Sequence, residues 1–253
     1  MSRISSFIKT FRLRLIARAN TQKYGVTVVV TSCNRHDLLE RTMKSFFSVN
    51  TFPLQQVIIV EDGPKIAEEL KSRFCNHPIV WISTGKRVGQ IAAIDYAYSR
   101  VRTPYIFHME DDWEFFRSGF IEKSMRILEA ERSCLQVWLR STNDTNDHPL
   151  EPETHFSGDV PWRKLAIGFA KGRWNGFSFN PGLRRLADYV KTNGYGNIKE
   201  FNFSSPWDSE ISISQFYRDM GMYAAILCDS GGIGYVRHIG EGRETLSPDQ
   251  PSA

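Results

Sequence analysis

The sequence predicts an α/β protein, a mixed and mostly parallel sheet flanked by helices, with an N-terminal amphipathic helix ahead of it. Three observations predict this. β-branched apolar runs alternate with segments of helical periodicity from residue 26 to residue 140. Three of those runs end in polar clusters, at 31–36, 61–63 and 110–112, where parallel sheets place their ligands. The composition is globular, 41% hydrophobic and 24% charged over 253 residues, and a chain of that length buries a sizeable core.

The elements follow in order. Val26–Thr31 is a β-branched run suited to a buried strand, and Asp37 is placed to cap a helix through Leu38, Leu39, Met43 and Phe46. Val57–Val60 is the second strand, closed by Glu61-Asp62-Gly63-Pro64. A helix is expected near Ile66–Phe74, a strand at Ile79–Ile82, and a helix over Val88–Val101. Tyr105–His108 forms the next strand, Ser118–Glu131 a helix and Leu135–Leu139 a further strand. Ser141–Trp174, polar and proline-containing, reads as a long, partly irregular wall of a site. Beyond it come a strand at Phe177–Phe179, a helix over Gly182–Val190, a helix over Asp208–Met220, and strands near Tyr223–Leu227 and Gly234–Ile239. The domain plan is a leader (1–23), one α/β domain (24–240, with halves 24–140 and 141–240) and a tail (241–253).

The formal net charge of +4 is unevenly placed. Residues 1–23 hold six basic residues and no acid, so the leader is +6 and the remainder −2. That body does not suit nucleic acid. Ile4, Phe7, Ile8, Phe11 and Leu15 fall at helical spacing between the basic residues, a pattern for a membrane interface or for docking on protein. The sequence has no membrane-spanning run and no secretory signal pattern, and its four cysteines lie far apart. The expectation is a cytoplasmic protein, with residues 1–20 able to hold it peripherally at the inner face of a membrane.

Tyr105-Ile-Phe-His-Met-Glu-Asp-Asp-Trp113 is the most informative stretch. An apolar strand delivers three consecutive carboxylates to one point, which is costly unless a cation or hydrogen-bond donor compensates. Mg²⁺ or Mn²⁺ with phosphate oxygens is one natural use, and a solvated helix start is the plainer one. Before it come Val26-Thr-Val-Val-Val-Thr-Ser-Cys-Asn-Arg35, Val57-Ile-Ile-Val-Glu-Asp-Gly63 and Arg87-Val-Gly-Gln-Ile-Ala-Ala-Ile-Asp95. This succession resembles the nucleotide-sugar-binding half of family 2 glycosyltransferases, which have the GT-A fold, and the resemblance covers about residues 26–240.

The resemblance implies a DxD-type signature at Glu110-Asp111-Asp112. It implies that Asp62 contacts the nucleobase, that Ser32, Asn34 and Arg35 line the nucleotide pocket, and that Gly89 and Gln90 approach the ribose or phosphates. Asp112 would ligate the metal, Mn²⁺ or Mg²⁺, with Glu110 and Asp111 nearer the ribose and the sugar. Asp95 replaces an asparagine common at that position. Ser205-Pro-Trp-Asp-Ser-Glu-Ile211 resembles the family's catalytic segment, which places the base on Asp208 and the following glutamate on Glu210. His238, in Tyr235-Val-Arg-His-Ile-Gly240, matches a histidine that completes the metal shell or meets the diphosphate. Trp207, Glu210, Arg184 and Arg243 are candidates for contact with acceptor or diphosphate, and Trp162 and Trp174 for stacking on sugar.

The implied activity is inverting transfer of a sugar, from a nucleotide-sugar donor such as a UDP-sugar, to a hydroxyl of a glycan or lipid-linked acceptor. Two alternatives are a sugar-phosphate nucleotidyltransferase, whose Gly-rich signature Thr31–Asp37 lacks, and a non-catalytic carbohydrate-binding module on the same fold.

Overall fold

The computed structural model describes residues 24–168, 175–198 and 206–242. The predicted leader, the tail from residue 243, Trp174 and Arg243 lie outside the described residues. Among those described, no helix is long and apolar enough to cross a membrane.

One nine-stranded sheet organises the chain, in the order β3-β2-β1-β4-β9-β6-β10-β8-β7. β1 (Val26–Ser32) lies between β2 (Gln56–Glu61) and β4 (Tyr105–Glu110), parallel to both, and β3 (Ile79–Ser83) extends the parallel run beyond β2. Every residue of β1 is buried, because helices cover both faces. Val28 and Val30 pack in one core with Leu39, Met43 and Phe46 of α1 (His36–Val49). Val29 points the other way, into a second core with Ile91, Ile94 and Ala97 of α3 (Gln90–Tyr98). α2 (Glu68–Arg73) follows β2, and α4 (Phe120–Ala130) precedes β6 (Cys134–Trp138). α1 begins one residue before the cap expected at Asp37, with Arg35 in the N-cap position.

The second half differs from expectation in three places. Residues 141–174 contain a hairpin, β7 (Leu150–Ser157) and β8 (Val160–Leu165), which adds two antiparallel strands to the sheet. β7 is the outermost strand and carries Pro152, Glu151 and Glu153, residues that suit an unpaired edge and hide a strand from pattern reading. Phe177–Phe179 is not a strand. Its backbone is held by side chains instead: Phe179 N–H donates to Glu210 Oε1 at 2.7 Å and Phe177 N–H to Ser214 Oγ at 3.4 Å.

Gly182–Arg185, expected in a helix, is β9, inserted antiparallel between β4 and β6. Gly182 admits it there, since a Cβ at that position would sit 2.7 Å from the Val137 carbonyl oxygen. The helix starts only at α5 (Leu186–Thr192). β9 also moves Arg184 away from any acceptor surface. Strand alternation turns it inward, 2% exposed, over the Phe177 ring and donating to the Ser178 carbonyl at 3.0 Å. Arg185 points to the opposite face, where it donates to the Glu131 and Cys134 carbonyls and pairs with Asp188.

Asp95, on α3, ties the two halves together. Its carboxylate accepts from Tyr195 N–H at 2.9 Å, Gly196 N–H at 3.0 Å and the Tyr189 hydroxyl at 2.9 Å. Burial raises its pKa while these three donors pull it down. An asparagine offers one acceptor oxygen and turns an NH₂ toward donors. Asp95→Asn is therefore expected to lower stability by about 1–3 kcal/mol, read as a shifted urea midpoint with unchanged slope.

α6 (Pro206–Asp219) and β10 (Tyr223–Leu227) complete the second half. β10 runs parallel to β6. A two-stranded ribbon of β5 (Trp113–Phe115) and β11 (Val236–His238) stands beyond the carboxyl end of β4.

Candidate active site

Parallel register brings three strand ends together. Ser32 lies beside Glu61, and Thr31 beside Glu110. The chain leaves β1 through Asn34, whose φ of 55° is in the left-handed region that asparagine tolerates better than most residues. That turn is fixed by Glu61, which is buried and accepts from Asn34 N–H at 2.7 Å. Glu61 was not anticipated from sequence, although its place at the end of an apolar strand, directly before Asp62, was a usable signal.

Asp111 is wholly buried and Arg35 lies against it, with Nε 3.3 Å from Oδ2 and a closer ion pair from Nη2 to Oδ1. Burial pushes the Asp111 carboxyl up to about 7 against the lowering pull of Arg35. The buried Ser32 places its hydroxyl beside it. Asp112 behaves differently. Burial would raise it too, but a hydrogen bond from His238 and the charge of Arg35 hold it below the ordinary carboxylate range. Its Oδ2 lies 3.2 Å from His238 Nε2 and 2.8 Å from Arg35 Nη1, while its Oδ1 is buried without a partner.

The β5–β11 ribbon makes this meeting possible. It pairs His238 with Trp113, the residue after Asp112, and the two rings lie 5.2 Å apart. Ile239 N–H then donates to the Asp112 carbonyl at 2.8 Å. Gly240 passes so close that a Cβ there would stand 2.6 Å from Asp112 Oδ2.

At the end of β2, Asp62 is buried and both its oxygens serve the chain: Oδ1 accepts from Val88 N–H at 2.6 Å and Oδ2 from Gly89 N–H at 2.8 Å. It thereby sets the loop from which α3 starts, with Gly89 at φ 93°. Gln90, at the start of α3, donates from Nε2 to Glu110 Oε1 at 2.8 Å.

The second half of the chain supplies α6. Asp208 stands in its first turn, and Ser212 Oγ donates to the Asp208 carbonyl at 2.9 Å. Trp207 belongs to the same turn, but its side chain lies outside the description. Glu210 accepts from Phe179 N–H and, at 3.0 Å, from the Ser178 hydroxyl. Burial pushes Glu210 up to about 7 and pushes Glu110 well up as well, and the charge of Glu210 raises Glu110 further. A carboxylate on α6 thus lies within electrostatic reach of one at the end of β4.

Arg140 joins them from the end of β6. It is 6% exposed, lies over the Trp113 ring at 5.3 Å, donates to Asp144 at 2.5 Å and Asn146 at 3.0 Å, and lowers Glu210 through its charge. It too was missed from sequence, where a lone arginine after a strand reads as solvated. Trp162, a candidate for sugar stacking, is instead in the core, donating to Ser157 Oγ at 3.0 Å between the His155 and Tyr223 rings.

The raised Glu210 gives a signed expectation. Its folded pKa, about 7, lies above the ordinary value near 4.5, so its stabilising contribution is complete below the ordinary value and is lost as pH rises through 7. Glu210→Gln removes that dependence. Relative to the parent, the variant is expected to gain up to about 2 kcal/mol between pH 5 and pH 8, read from thermal melts across that range.

Comparison with known proteins gives a family and a fold. The model of the family described as Glycosyl transferase family 2 matches residues 27–195. A search of curated proteins by sequence found no match. Among solved structures, S. aureus TarS 1–349 and its complex with UDP each superpose with a TM-score of 0.56 at 12% identity, covering 84% of this chain and 59% of theirs. S. aureus TarS superposes with a TM-score of 0.58 at 11% identity, covering 84% of this chain and 36% of that one. The chain thus spans little more than half of TarS 1–349, and at that identity the likeness is one of fold, the GT-A fold expected from the strand-end motifs. With two-thirds of its length matched by the family model, the chain belongs to glycosyl transferase family 2.

Proposed function

We propose that this glycosyltransferase moves a sugar from a nucleotide-diphosphate donor, a UDP-sugar, to a hydroxyl of a glycan or lipid-linked acceptor, with inversion at the anomeric carbon. The observation that carries the reading is the meeting of Asp112 and His238 beyond the end of β4, with Glu210 of α6 close enough to act on Glu110 of the same strand end. The UDP complex of the similarly folded TarS supports a uridine donor.

Among the described residues no three carboxylate, histidine or cysteine side chains are gathered to hold a metal ion, so the chain would offer a divalent cation two ligands and leave the rest to the substrate and water. Asp112 Oδ1 is buried and unpartnered, His238 is beside the same carboxylate, and Mn²⁺ or Mg²⁺ commonly completes such a set with phosphate oxygens and water. Bound there, the ion would supply positive charge to the departing diphosphate. The remaining work falls to the chain. The Asp62-ordered loop at Val88–Gln90 positions the nucleotide, with Ser32 and Asn34 beside it at the end of β1. Asp208 accepts the proton of the attacking hydroxyl at the start of a rigid helix. Glu210 anchors the Ser178–Phe179 segment and so shapes the acceptor wall. Trp207 and Arg243 are assigned to acceptor and diphosphate by position in the sequence alone.

The test is to incubate the protein with UDP-sugars, Mn²⁺ and oligosaccharide or lipid-linked acceptors. Released UDP is quantified and the anomeric configuration of the product read by NMR. Inversion with stoichiometric UDP is expected, and a retained configuration sinks the role of Asp208. Residues 1–20 are proposed to bring the enzyme to anionic membrane surfaces. Their deletion should abolish sedimentation with vesicles containing phosphatidylglycerol, and unchanged sedimentation refutes the idea.

A further inference from the structure

Arg35 occupies the space in which the acidic strand end needs a cation. Its guanidinium spans both aspartates, with Nη1 2.8 Å from Asp112 Oδ2, Nε 3.3 Å from Asp111 Oδ2 and Nη2 paired with Asp111 Oδ1. The side chain is 15% exposed, so water screens the pairing poorly. Asp112 therefore presents two unlike oxygens: Oδ2 is shared between Arg35 and His238, and Oδ1 is buried without a partner.

Resting on the nucleotide-sugar reading above, we propose that Arg35 is a tethered counter-cation that competes with divalent metal for Asp112 and is released by the diphosphate. A divalent ion arriving alone at Asp112 Oδ1 meets a fixed positive charge within a few ångströms, and the two repel. A nucleoside diphosphate changes the balance. Its oxygens match the fork of a guanidinium, so Arg35 can turn from Asp112 to phosphate while the carboxylate passes to the metal. Metal and nucleotide then bind with positive coupling, and linkage makes the effect reciprocal. In the ligand-free protein the same pairing offsets the repulsion among Glu110, Asp111 and Asp112, which explains how three acids share one strand end.

The experiment is a Mn²⁺ titration followed by electron paramagnetic resonance, on the full chain, with and without UDP, for the parent and for Arg35→Gln. In the parent, UDP is expected to tighten Mn²⁺ binding about tenfold or more. In Arg35→Gln, Mn²⁺ alone is expected to bind about tenfold tighter than to the parent, so that UDP, which still lends phosphate oxygens to the metal, adds about tenfold less than it adds in the parent. Arg35→Lys keeps the charge without the fork. It should keep Mn²⁺ alone as weak as in the parent, which serves as the folded control if the glutamine variant does not fold. Equal Mn²⁺ affinity in the parent with and without UDP overturns the proposal. So does an Arg35→Gln or Arg35→Lys variant that departs from these outcomes.

Failure of the functional reading is distinguishable. Calorimetry that finds no UDP bound in the presence of Mn²⁺ removes the nucleotide site itself. UDP binding without coupling removes only the exchange.

Discussion

Asp208→Asn is expected to lower kcat for sugar transfer by about 10²–10⁴-fold while the protein stays folded and still binds its donor. The size follows from the chemistry. An alcohol is a poor nucleophile until its proton is taken, and a positioned carboxylate at the transition state is worth that range. The placement follows from the fold. Asp208 is in the first turn of α6, on the helix whose Glu210 is near enough to raise Glu110 at the end of β4. Asparagine preserves shape and hydrogen-bonding capacity at a helix start, so the stability change should stay within about 1 kcal/mol. Thermal melts with UDP, compared between parent and variant, separate binding from turnover. A variant that retains more than a tenth of the parent rate moves the base elsewhere, and Glu210, with its pKa near 7, is then the residue to replace.

Asp112→Asn is expected to be comparably severe, about 100-fold or more in rate, and to remove the Mn²⁺-dependent rise in melting temperature. Two effects combine. The buried, unpartnered Oδ1 is lost as an anionic ligand, and Arg35 and His238 lose the charge they share at Oδ2. The second effect also touches stability. The folded-state pKa of Asp112 is depressed, so its contribution is present above the unfolded value and is lost as pH falls through the folded one. The variant should thus be less stable than the parent at pH 7, by about 1 kcal/mol, and equal to it in strong acid. A loss of that size cannot empty the folded state of a domain with ordinary stability, so a hundredfold fall in rate reports on the site.

The first half of the sheet was largely legible in the sequence, and the reason is physical. β1, β2 and β4 are buried on both faces, which demands near-continuous apolar runs, and their parallel register guarantees that the polar residues following them meet. The second half obeys weaker rules. β9 is four residues long, and its partners β4 and β6 are distant in sequence, so no local period announces it. Its Leu183 faces one core and Arg184 the other, and a buried arginine looks like a surface one in any pattern. β7, polar and proline-bearing at the sheet edge, gives no apolar alternation either. Arg140 and Glu61 escaped for a related reason: each is a single charged residue whose meaning comes from what the fold sets beside it. Asp95, by contrast, was noticed as a departure from the family pattern, and its three donors give that departure a structural use.

The strand ends carrying Arg35, Asp62, Asp112 and His238 are expected to bind a nucleotide-sugar with a divalent ion. The most direct test is the melting temperature of the full chain against UDP-, GDP-, dTDP- and CMP-sugars, each with and without Mn²⁺. A UDP-sugar is predicted to raise it by several degrees in the presence of Mn²⁺, and to lose that effect in Asp112→Asn. No shift with any nucleotide-sugar, with or without the metal, would contradict the claim.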